Sequence, residues 1–65
     1  MDCQVKFEDK DSVREMALRF ENMPRVGERI SFDDGQDHFT GLVSGISHKF
    51  SKDGPQKVII HVEID

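Results

Sequence analysis

Four side chains of the usual zinc-ligating types, Cys3, His38, His48 and His61, are scattered over a chain of 65 residues. Local zinc sites place ligands a few residues apart, as in Cys-x2-Cys or His-x3-His, and no pair here has such spacing. Asp33-Asp34-Gly35-Gln36-Asp37 resembles the opening of a calcium loop. The twelfth position from Asp33, which should carry a bidentate glutamate, is Ser44. This segment is therefore expected to be a solvated turn, and neither a metal nor another cofactor is expected. A nucleophilic Cys3 would need positive charge nearby to favour its thiolate, yet Asp2 and Glu8 flank it. It reads as a core thiol. Ser12, Ser31, Ser44, Ser47 and Ser51 are ordinary strand and turn residues. No catalytic residue is assigned, and the chain is not expected to be an enzyme.

Cations offer a second kind of chemistry. Arg25 and Arg29 fall close together, while Lys49, Lys52 and Lys57 flank one loop. If these two regions converge, the five could form a track for phosphates, with Phe39 and Phe50 as the candidates for base stacking. The net charge of −4 argues against a dedicated nucleic-acid binder, whose domains usually carry a basic excess.

Strands must position these residues. Cys3, Val5 and Phe7 alternate with Gln4, Lys6 and Glu8, a period of two that turns one apolar face inward. Ile30 and Phe32 alternate likewise with Arg29, Ser31 and Asp33. The β-branched run Val58 to Ile64 gives the clearest strand. It sets Val58, Ile60, Val62 and Ile64 on one face, and Ile59 and His61 on the other. Between Phe39 and Phe50 the apolar parity changes, so one extra residue near Ser44-Gly45 is expected as a bulge in a long, kinked strand. His48 is expected to be semi-buried and bonded to backbone. The segment 12–22 supports two readings. Val13, Met16, Ala17 and Phe20 have helical spacing behind a Ser12/Glu15 capping box. Met16, Leu18 and Phe20 also alternate with Ala17 and Arg19, and Pro24 limits any helix to little more than two turns. The strand reading is preferred.

The turn Pro24-Arg25-Val26-Gly27-Glu28-Arg29-Ile30, followed later by Ile46-Ser47-His48-Lys49-Phe50, resembles a class of short bacterial and phage β-domain proteins. They carry a Pro-x-Val-Gly-Glu-x-Ile turn between two strands. The resemblance covers 18–50 and implies a β-barrel-like fold and an accessory role, with no activity attached. Physically, Pro24 fixes its own φ and Gly27 permits a positive one, which together turn the chain. Met23 and Val26 are then expected to cover one mouth of a barrel.

The expected architecture is all-β, one small domain over 1–65. It is a five-stranded, strongly bent antiparallel sheet, SH3-like or a partly open barrel. The alternative is α+β, with one short helix at 12–22. With 35% hydrophobic residues and no apolar run near the roughly 18 residues that cross a bilayer, no membrane association is expected. The first residues have neither a basic stretch nor an apolar core for export, and a single cysteine forms no internal disulfide. Both suit the cytoplasm. The leading functional expectation is a non-catalytic protein-interaction module that self-associates or docks onto a larger partner. Ile59 and His61, on the outward parity of the last strand, are its expected interface. The alternative is a nucleic-acid-binding small barrel that uses Arg25, Arg29, Lys49, Lys52 and Lys57.

Overall fold

A computed structural model describes all 65 residues. Five strands form: β1 Asp2–Asp9, β2 Ser12–Arg19, β3 Arg29–Asp33, β4 His38–Lys49 and β5 Lys57–Ile64. They make one sheet in the order β2-β1-β5-β4-β3, curled into a half-barrel. There is no helix.

Segment 12–22 takes the strand reading because the preceding turn leaves it no other course. Asp9 pairs directly with Ser12, so only Lys10 and Asp11 form the bend. Both have positive φ, 49° and 69°, the two-residue turn whose twist matches that of antiparallel strands. The chain returns along β1, and Met16 and Leu18 pack against the core from alternate positions.

One pairing departs from the antiparallel expectation. β5 lies between β4 and β1, antiparallel to the first and parallel to the second, with Gln4 opposite Ile59 and Phe7 opposite Val62. The fold is thus an N-terminal hairpin joined to a three-stranded meander along one parallel seam. The bulge in β4 falls between Val43 and Gly45, where expected. Ser44 is the extra residue, and its hydroxyl donates to the His61 carbonyl at 3.3 Å. The bulge brings Ile46 opposite Ile60 on the concave side, in line with Val43 opposite Val62.

The core lines that concave side. Cys3, Val5, Phe7, Phe32, Phe39, Val43, Ile60 and Val62 are buried together. Phe7, Phe32 and Phe39 form an aromatic cluster with centroids 4.8 to 5.4 Å apart. Gly41, buried on β4 between Ile30 of β3 and Ile64 of β5, has no room for a side chain. A Cβ there would lie 2.4 Å from the Glu63 carbonyl oxygen and 2.6 Å from Val62 Cγ1. The link from β2 to β3 runs over one mouth of the half-barrel. Pro24 is buried and Met23 packs on the core. Val26, expected beside them, is 60% exposed. Gly27 turns this link with φ of 95°, and Gly27 and Glu28 bond to the backbone of Val43.

Candidate interaction surfaces

The expected interface on β5 is not on the surface. Ile59 is 5% exposed. β5 is the middle strand, so Ile59 has Gln4 beside it on β1 and Ser47 on β4. A middle strand buried on both sides reads as a continuous apolar run, here Val58-Ile59-Ile60, and parity alone could not reveal it. His61 is half-buried on the same face, its Nε2 2.8 Å from the Ser47 hydroxyl. Neither residue offers free backbone to a partner, because strands flank both edges of β5.

The five cations divide. Lys49 and Lys57 stand opposite each other at the end of the β4–β5 hairpin, and Lys52 lies in the loop between them. Arg29 pairs with Leu42, seven residues before Lys49 on β4 and so roughly 23 Å away along the strand. There it is held by the Asp65 carboxylate, which raises the guanidinium's pKa and lowers that of Asp65. Arg25 lies in the β2–β3 link, its backbone N–H donating to Glu28 Oε1 at 2.6 Å, and this link is anchored at Val43, six residues before Lys49 on β4. The track therefore shrinks to three lysines on one hairpin tip.

That tip has an aromatic companion. Phe50 is 77% exposed, and the His48 ring stacks on it at 6.4 Å with 15° between planes. His48 is exposed, contrary to the semi-buried expectation, because the strand has run past the end of the core; its Nδ1 lies 3.5 Å from Gln56 Nε2. Lys49, Phe50, Ser51, Gly54, Pro55 and Lys57 line an open hollow of about 380 Å3. Phe39, the other stacking candidate, is 8% exposed and belongs to the core cluster.

The Asp33–Asp37 segment is a turn, as expected. Asp34 Oδ1 accepts from the N–H groups of Asp37 and Gln36 at 2.7 and 2.9 Å, and Asp33 Oδ1 accepts from Gly35. The second Asp34 oxygen accepts from Arg14 at 2.7 Å. With these donors, the Asp37 N–H first, Asp34 titrates well below the usual carboxylate range. Burial pushes the Cys3 thiol up, as suits a core residue.

No protein-family model, curated protein or solved structure matches the chain.

The surface that sequence reasoning missed is the edge of β2. This strand has β1 as its sole strand neighbour, so one whole side of its backbone is free. Met1 and Phe20 exchange two hydrogen bonds of 2.8 Å. Antiparallel pairs alternate between bonded and non-bonded, so Leu18, Met16, Arg14 and Ser12 turn their backbone groups to β1. Val13, Glu15, Ala17 and Arg19 turn theirs outward, and all four are exposed. The available signal was the charged alternation Glu15-x-x-x-Arg19 on a segment that helical spacing made ambiguous.

Proposed function

We propose that this chain is a non-catalytic protein-interaction module and that its working surface is the free edge of β2. The observation that carries this reading is the eight-residue strand, Ser12–Arg19, with outward backbone groups at Val13, Glu15, Ala17 and Arg19 and no strand paired to it on that side. Proteins usually blunt such an edge with proline, a bulge or a covering element. β2 has neither proline nor bulge, its residues pairing with β1 in unbroken register, and its one inward-pointing charge, Arg14, is held by Asp9 and Asp34. An extended segment of a partner can add there as a further strand, its main chain supplying affinity and its side chains specificity. The half-buried Met16 and Leu18 offer apolar contacts on one side of such a strand, and Glu15 and Arg19 offer charges on the other. The accessory role implied by the Pro24–Ile30 resemblance fits a module of this kind.

The test is selection of extended peptides against the intact chain, followed by amide NMR mapping. Bound peptides should shift Val13, Glu15, Ala17 and Arg19 and lose binding to the Ala17→Pro variant. Ala17 makes no N–H bond inside the chain, so an edge proline is tolerated there. Peptides that bind elsewhere, or bind Ala17→Pro equally well, would overturn the reading.

A second reading rests on the hairpin tip. Lys49, Lys52 and Lys57 beside the exposed Phe50–His48 stack supply the charge and the aromatic face that single-stranded nucleic acid uses. Binding of this kind should weaken with added salt and fall about tenfold for Phe50→Ser. Salt-independent binding, or none, would remove it.

A further inference from the structure

We propose that the partner at the β2 edge is a second copy of this chain, added antiparallel about a two-fold axis at Ala17. The inference rests on the proposal that this edge is the working surface, and it adds the occupant and the register. In a continuous sheet whose axis is perpendicular to it, each copy keeps its concave side on the same side. Residues of equal parity must then face each other, which leaves few registers.

Centred on Glu15, the pairing would set that carboxylate against its own copy. Centred on Met16, it would oppose Glu15 to Ala17 and Val13 to Arg19, so no charge would find a partner. Centred on Ala17, Glu15 of each copy faces Arg19 of the other, twice, with Ala17 against itself between them. These three pairs use the outward backbone groups of Glu15, Ala17 and Arg19 and give about six hydrogen bonds. The intervening positions place Met16 against Leu18 of the other copy, again twice. Both are only half-buried in the single chain and face its concave core. They form non-bonded pairs, in which side chains come closest.

The same register agrees with the remaining charges. Arg19 has only Asp2 as a partner within the chain, at 3.7 Å, with side-chain exposures of 84% and 80%. A pair so exposed contributes little and yields readily. No ion pair involves Glu15. The axis falls on the smallest side chain of the strand, so no bulky or charged group meets its own copy there.

Sedimentation equilibrium of the full chain, from micromolar to millimolar and at low salt, tests the proposal. The chain should dimerise. Glu15→Arg creates two arginine pairs facing each other and should weaken the dimer about tenfold, as should Arg19→Glu. The double exchange, Glu15→Arg with Arg19→Glu, should restore it. Ala17→Pro should give a folded monomer, with folding checked by amide NMR. A chain that stays monomeric at millimolar concentration overturns the proposal. So does a dimer indifferent to Glu15→Arg, or a double exchange that fails to recover. A monomer that still binds extended peptides at β2 would overturn the two-fold pairing alone; a monomer that binds none there would remove the edge reading as well.

Discussion

Arg14 on β2 and Asp34 in the β3–β4 turn meet at 2.7 Å across the one seam where no strand pair closes the half-barrel. The same guanidinium reaches Asp9 at 3.2 Å and lies over the rings of Phe7 and Phe39, 5.4 and 5.5 Å from their centroids. One side chain thus caps the aromatic cluster and ties the two ends of the sheet. Planar geometry with several donors is what lets it serve both carboxylates. Arg14→Lys is expected to lower the thermal midpoint, because an ammonium cannot reproduce the fork or the stacking. Asp2→Ala, which removes only the exposed pair with Arg19, should leave the midpoint unchanged. Equal effects from the two would show that Arg14 does not close the seam.

Acid should loosen the same closure. Asp34 is held below the ordinary carboxylate range by the Asp37 N–H, Arg14 and the Gln36 N–H, and Asp65 is held low by Arg29. Their folded pKa values lie below the unfolded ones, so the unfolded chain binds more protons. Their contribution is complete above the unfolded value, about 4, and is lost as pH falls through the lower, folded values. Denaturant midpoints should therefore fall below pH 4. Asp34→Asn should flatten that fall; an unchanged slope would contradict the assignment.

Two glycines in β4 should respond differently to alanine. Gly41→Ala drives a methyl group into the Glu63 carbonyl and Val62 and should cost about 1–3 kcal/mol, through overpacking. At Gly45 the nearest atom, His61 Cδ2, lies 3.9 Å from an added Cβ. Gly45→Ala should change stability by less than about 0.5 kcal/mol. Urea unfolding of the two variants separates them.

The β1–β2 turn holds two residues in a backbone region that L side chains avoid. Lys10→Asn with Asp11→Gly supplies the pair this turn prefers. It should stabilise the chain by about 1 kcal/mol, a rise of about 4–8 °C in Tm. A lower midpoint would mean the present side chains hold the turn in some other way.

Much of this fold was legible because strand periodicity is a local property. Cys3-Val5-Phe7, Ile30-Phe32 and Val58-Ile60-Val62 face the core as their alternation required. The parity change at Ser44-Gly45 marked a real bulge. Strand order was not legible, since it depends on Gln4 meeting Ile59 from opposite ends of the chain. That one fact decided the site. It placed β5 in the middle, buried Ile59 on the far face and left β2 at the edge. The basic residues were separated for a similar reason: Arg29 and Lys49 lie on neighbouring strands but far apart along them.

The most direct measurement is amide hydrogen exchange along β2, read by NMR at rising protein concentration. In dilute solution Arg14, Met16 and Leu18 should be protected by β1, while Val13, Glu15, Ala17 and Arg19 exchange freely. As concentration rises, protection should appear at Glu15, Ala17 and Arg19 and leave the hairpin tip around Phe50 unchanged. Protection that never appears at those three would contradict the two-fold pairing, and protection that appears instead at Lys49 to Lys57 would contradict a module that works through the edge of β2.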